Sequence, residues 1–218
     1  KANNAQVAAT ATQNLRRGKG KVVSFYSGKG GSGKTLLSTA YSQTLKFEST
    51  ASVIFIDLNL QYGGAETFLS VESNRSLLEL KPVIKEINEN HIRNVSIKEE
   101  FSKMELLLSP CDAEAAEELT EEFLTRLLNT CRRAYDFIII DLPSTMNIHT
   151  LTALEESDTI YYVINLDTPS IRVYKRVEEL LSKLRIYTEG RLELVINQVN
   201  RKSELKVSDI KQFISVPV

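Results

Sequence analysis

Apolar residues fall along the chain in two alternating rhythms. Short runs of mostly β-branched or aromatic residues occupy positions 22–26, 52–56, 104–108, 137–140, 159–164 and 192–196. Most lack the polar alternation of a half-exposed strand, which predicts strands buried on both faces. Between them lie longer segments at 34–45, 77–87, 117–133, 148–155 and 171–186, whose apolar residues recur at helical spacing. Strands alternating with helices predict an α/β fold with a mainly parallel central sheet and helices on both faces. Ligands of such sheets bind beyond the carboxyl ends of the strands, so chemistry is sought in the residues just after each run.

Composition narrows the class without naming a function. The 218 residues are enough for one sizeable core. With 42% apolar and 25% charged residues, the chain reads as globular, and 27 basic against 28 acidic side chains argue against a strongly basic nucleic-acid binder. Neither a membrane-spanning run nor the apolar centre of a signal peptide occurs in the sequence, which predicts a cytoplasmic location. Residues 1–20 are polar and rich in small side chains, and read as a linker from an upstream domain. The basic patch of Arg16, Arg17, Lys19 and Lys21 is expected to be solvated rather than bound to phosphate or lipid. Cys111 and Cys131 stand far apart and are expected as reduced thiols, while His91 and His149 lack ligand-like neighbours and are expected in surface or capping roles.

The first strand run is followed by Gly28-Lys29-Gly30-Gly31-Ser32-Gly33-Lys34-Thr35 and then by a helical segment. This satisfies the phosphate-loop pattern G-x-x-x-x-G-K-[ST] in its required context, a strand before and a helix after. Glycines let the backbone wrap a phosphate with N–H groups pointing inward, and the helix adds its positive N-terminal end. Lys34 is expected to reach the β- and γ-phosphates of ATP or ADP and the Thr35 hydroxyl to bind Mg²⁺. Asp57 ends the second strand run, where it can hold Mg²⁺ or a water in its shell, and Asp141 ends the run FIII before Leu142-Pro143-Ser144. An acid at the end of a buried strand needs a partner, and helix capping is the competing role for Asp141.

Lys29 is the more discriminating residue, because an ordinary phosphate loop does not require a lysine after its first glycine. The sequence K-G-G-x-G-K-T resembles the deviant Walker motif of the ParA/MinD family. That resemblance implies a P-loop NTPase fold over residues 21–218, slow ATPase activity, and a nucleotide-dependent homodimer in which Lys29 reaches the partner's nucleotide. It also implies that Asp141 is the Walker B carboxylate before a γ-phosphate-sensing turn. The family's D-x-D motif reads Asp57-Leu58-Asn59 here, and the second position is associated with the attacking water. An amide orients water but does not take its proton, so Asn59 implies slow hydrolysis with binding intact, unless it is simply a turn residue. Asn197 stands where the family reads the adenine edge; Gln198 replaces the usual arginine beside it, and strand-end capping is the alternative for Asn197.

The segments DLNLQYGGAETFL, LLSPCDAEAAEEL and YDFIIIDLPSTMNIHTLTALEESDTIYYVI are most similar to the CpaE/TadZ branch. This implies partners among pilus or cell-pole assembly proteins of a type IV (Tad/Flp) system, with membrane association only indirect or through segments outside this sequence. A MinD-like positioning role, a ParA-like DNA-segregation role and a weakly nucleotide-binding scaffold are the alternatives. Arg172, Lys175 and Arg176, with Asn200, Arg201 and Lys202, would form the basic face that a DNA-binding relative needs, but near-neutral charge favours solvated helix faces. The two cysteines do not stand where an iron–sulfur relative would need them. The family's pattern would continue past residue 218 with a further strand and a closing helix.

Overall fold

Strands form where the β-branched runs stand, and their register brings the expected site residues to one edge. The computed structural model describes residues 20–217, so the expected linker up to residue 19, with Arg16, Arg17 and Lys19, lies outside the described residues. The strands are β1 (Lys21–Tyr26), β2 (Val53–Asp57), β3 (Ile97–Lys98), β4 (Glu105–Leu107), β5 (Phe137–Asp141), β6 (Thr159–Asn165) and β7 (Leu192–Asn197). They lie in the order β3-β4-β2-β5-β1-β6-β7, all pairs parallel except β3 with β4. The two-residue β3 carries too little pattern to be legible in sequence.

The helices are α1 (Lys34–Phe47), α2 (Ala65–Leu69), α3 (Glu89–Val95), α4 (Ala113–Glu117), α5 (Glu121–Ala134), α6 (Ile148–Glu156), α7 (Thr168–Lys183) and α8 (Val207–Phe213). Three helical expectations are corrected. The segment at 117–133 is broken, because the Thr120 hydroxyl accepts from Phe123 N and starts α5 afresh after α4 has ended. The segment at 77–87 is a 3₁₀ helix, Leu77–Glu86, opened by a Ser76–Glu79 capping box. Pro82 inside it has no N–H to donate and would clash with the carbonyl four residues back in an α-helix. The segment at 171–186 starts earlier, since Asp167 caps α7 with Pro169 in the first turn, and stops before Arg185, whose φ of 59° is left-handed.

Alternate residues of each strand feed two apolar layers. Val22, Ile54, Ile138, Ile140, Ile160 and Ile164 pack with residues of α5, α6 and α7. Val23, Phe25, Phe55, Ile139 and Val163 face the other way, against α2 and the apolar side of α1. Burial on both faces is what the near-continuous apolar runs require.

One buried charge fastens the amino-terminal ends of the strands. Arg132 on α5 is 3% exposed, and its Nη1 donates to Gly20 O at 2.7 Å and Asp158 Oδ2 at 2.6 Å while Nη2 donates to Glu156 O at 2.6 Å. The same Asp158 oxygen accepts from Val22 N at 2.8 Å. His149 departs from its expected surface role: it is buried in the first turn of α6, with Nε2 bonded to Leu119 O. No helix among the described residues is long and apolar enough to cross a membrane.

Candidate functional site

The loop at 28–35 follows β1 and runs into α1, and neighbouring strand ends brace it from the side. Gly31 and Gly33 have φ of 73° and 92°, and a Cβ on Gly33 would collide with Asn197 Nδ2. That amide donates to Ser32 O at 2.8 Å. Gln198, itself at φ 58°, donates through Nε2 to Gly31 O at 3.3 Å and accepts from Asn165 Nδ2 at 3.1 Å. Asn165 and Asn197 are paired partners at the ends of β6 and β7, so three amides hold the loop's shape. Tyr162 on β6 accepts from Gly28 N at 3.2 Å through its hydroxyl. Ser32 Oγ is buried with no hydrogen-bond partner among the described residues, a polar atom left for something the loop would enclose.

Lys34 points from the start of α1 toward the turn after β5. It is 8% exposed, and its Nζ donates to Ser144 Oγ at 2.8 Å. Burial holds this amine below the usual lysine range, with the Asp141 carboxylate pulling the other way. Thr35 Oγ1 donates to Asp141 Oδ2 at 2.7 Å, and Ser38 Oγ, one turn further along α1, donates to Oδ1 at 3.0 Å. Asp141 therefore stands against the helix start rather than capping it.

Two carboxylates end adjacent strands. Asp57 on β2 is paired with Asp141 on β5, which in turn is paired with Phe25 on β1. Burial pushes Asp141 up to about 6, against the hydroxyls of Thr35 and Ser38 and the charge of Lys34. Asp57 is pushed up to about 7 by burial and by Asp141 beside it, although Asn59 N at 2.8 Å and Ala65 N at 3.2 Å donate to its two oxygens. Asp57 thus also shapes the loop that carries Asn59.

Asn59 is used within that loop. Its Nδ2 donates to Gly63 O, while its own carbonyl accepts from Gly63 N at 2.7 Å and Ser109 Oγ at 2.9 Å. It still lines, with Lys34, Thr35, Gln61, Asp141 and Ser144, a cavity of about 590 Å³ that opens beside the phosphate loop.

Lys29, on the β6 side of the loop, has its side chain 31% exposed. Its Nζ is ion-paired with Asp167 Oδ2 and lies 3.5 Å from Asn165 Oδ1. Burial alone would raise Asp167, but hydrogen bonds from Lys29 and Ser170 outweigh it and hold the carboxyl below the usual range.

The expected residues Gly28 to Thr35, Asp57, Asn59, Asp141 and Asn197 are therefore gathered at one end of the sheet. Ser38, Tyr162, Asn165 and Asp167 belong to the same region and escaped the sequence reading. Asn165 and Asp167 had a signal, since they follow directly on a strand run. Cys131 is buried and Cys111 exposed, both as free thiols. On α7, Lys175 pairs with Glu178 at 3.1 Å, so the expected basic face is partly neutralised.

No cluster of three or more His, Cys, Asp or Glu side chains among the described residues could hold a metal ion alone. Hard oxygens from Thr35, Asp57 and Asp141 instead fit a Mg²⁺ that shares its coordination with phosphates and water.

Comparisons with known proteins agree with this geometry. A family model described as an AAA domain matches residues 20–194. Cell division protein PomZ of Myxococcus xanthus is 28% identical over 192 residues, covering 83% of this chain; the chain spans 58% of PomZ. Among solved structures, a ParA family ATPase from Chlorobium tepidum aligns with a TM-score of 0.82 at 20% identity, over 91% of this chain and 82% of that one. The septum site-determining protein MinD of Pyrococcus horikoshii, solved with Mg-ADP, aligns with a TM-score of 0.75 at 20% identity, over 91% of this chain and 79% of that one.

Proposed function

The chain belongs to the ParA/MinD family of P-loop ATPases, and from that premise we propose that it is an ATP-dependent dimerising switch with slow hydrolysis. The observation that carries the proposal is the pair of lysines on one loop. Lys34 is buried and lines the cavity, whereas Lys29 is partly exposed beside the end of β6. One serves the loop's own phosphates, and the other, held by Asp167 in the single chain, would leave its protomer to meet a partner's nucleotide.

In this reading the N–H groups of Gly30 to Thr35 cradle the phosphates and Lys34 exchanges Ser144 for the β- and γ-phosphates of ATP. Thr35, Asp57 and Asp141 would hold Mg²⁺, Asp141 through water. When bound, Mg²⁺ neutralises charge on the phosphates and orients them for attack. Asn197 keeps its Oδ1 for the exocyclic amine of adenine while its Nδ2 stays on Ser32. Asn59 orients water without taking its proton, which keeps turnover low.

The assembly served by the switch is proposed as a pilus or cell-pole complex, on the segments that are similar to the CpaE/TadZ branch. Near-balanced charge and the Lys175–Glu178 pair on α7 support protein over DNA as the partner. Mass analysis of the purified chain with and without ATP and Mg²⁺ tests the switch. A dimer that forms only with nucleotide, and that Lys29→Ala abolishes while ATP affinity is kept, is expected. A wild-type monomer in every condition would refute it.

A further inference from the structure

The lysine that distinguishes this loop is already engaged within its own chain. Its amine meets two acceptors where β6 gives way to α7, the carboxylate of Asp167 and, at the end of β6, the amide oxygen of Asn165. We propose that Asp167 is a positioning residue that holds Lys29 in its own protomer until a second nucleotide-bound copy competes for it. The inference rests on the dimerising switch proposed above, since an amine that must cross between protomers cannot stay on Asp167.

The two oxygens of Asp167 have separate tasks. Oδ1 accepts from Ser170 N at 2.8 Å and caps α7, while Oδ2 takes Lys29. Asparagine caps a helix as well as aspartate does, so Asp167→Asn removes the charge opposite Lys29 and keeps the cap. The nearby Glu204 does not take over, because both its oxygens are held by Thr168, through N and Oγ1. On the loop side, a Cβ at Gly30 would meet nothing within 4 Å, so the chain after Lys29 has room to move.

Exposure sets the strength of the hold. With both side chains about a third exposed or less, 31% and 27%, the pair is partly screened by water, and such pairs favour the bound arrangement by about two- to five-fold. A symmetric dimer needs both copies released, so the factors multiply to about four- to 25-fold in the dimer dissociation constant. That is a modest bias toward separate chains, one that contacts of Lys29 with a partner's nucleotide can outweigh.

The test measures the dimer dissociation constant by analytical ultracentrifugation with ATP and Mg²⁺, for wild type, Asp167→Asn and Asp167→Ser, the last a second capping residue. Tightening of about four- to 25-fold in both variants, with ATP affinity at high dilution unchanged, is expected. A double-mutant cycle of thermal stability over Lys29→Ala and Asp167→Asn in the nucleotide-free chain should also show coupling between the two positions, which a cap acting alone would not give. Unchanged or weaker dimerisation in variants of a dimerising wild type overturns the inference and leaves the switch standing. A wild type that never dimerises overturns both.

Discussion

Ser144 Oγ accepts from Lys34 Nζ at 2.8 Å, so the turn after β5 holds the one lysine among the described residues that lines the cavity. Phosphate entering the loop has to displace that hydroxyl, which couples nucleotide arrival to movement of the turn. Lys34→Ala should weaken ATP binding by about 10- to 100-fold, the loss of charge-assisted hydrogen bonds. Ser144→Ala removes only a competitor and should change affinity by less than about five-fold. Calorimetric titration with a non-hydrolysable ATP analogue measures both.

Asp57 and Asp141 make the nucleotide-free protein sensitive to pH. Burial raises both above the unfolded value of 3.8, to about 7 and about 6, so the folded chain binds protons that the unfolded chain has released. Their contribution to stability is present below about pH 4 and is lost as pH rises toward 7. Asp141→Asn should therefore raise the unfolding free energy at pH 7.5 more than at pH 5, by on the order of 1 kcal/mol, seen as a larger rise in melting temperature. Thermal melts of the two proteins at both pH values check this, and Mg²⁺ with nucleotide should flatten the wild-type slope by favouring the ionised carboxylates.

Asn59 spends its amide on Gly63 O. Aspartate there loses that donor and repels the carbonyl, which turns the side chain toward the cavity and provides a proton acceptor. Asn59→Asp is expected to raise the single-turnover hydrolysis rate by about 10-fold or more, within the range for general-base assistance. An unchanged rate would assign Asn59 to the turn alone.

Arg132→Ala removes a guanidinium that serves three acceptors at the far end of the sheet from the site. Two carbonyls and Asp158 are left short of a partner, at a cost of about 3 kcal/mol. Urea unfolding should show the lower midpoint. ATP affinity of the remaining folded protein should stay within about two-fold, because the loop is braced from β6 and β7.

Long apolar runs and the glycine loop were legible because each is dictated locally, by burial on both sheet faces and by backbone that only glycine adopts. Asp57, Asp141 and Asn197 were legible because chemistry in a parallel sheet gathers after its strands. The fate of the Asn59 amide was not, since it depends on Gly63 closing a tight turn. Nor was the Lys29–Asp167 pair, which joins residues 138 positions apart through the pairing of β1 with β6. Pro82 and Thr120 carried their corrections openly, as a missing donor and a capping hydroxyl.

Phe25, Asp57 and Asp141 sit level across three neighbouring strands. One residue inserted into β5 would carry Asp141 about 3.3 Å along the sheet and turn it to the opposite face. The distance from Thr35 to its carboxylate is thus counted out in whole residues from the fixed end at Arg132. Length changes in this protein should be tolerated in the connections and rejected within the three central strands, even where the inserted residue is perfectly apolar.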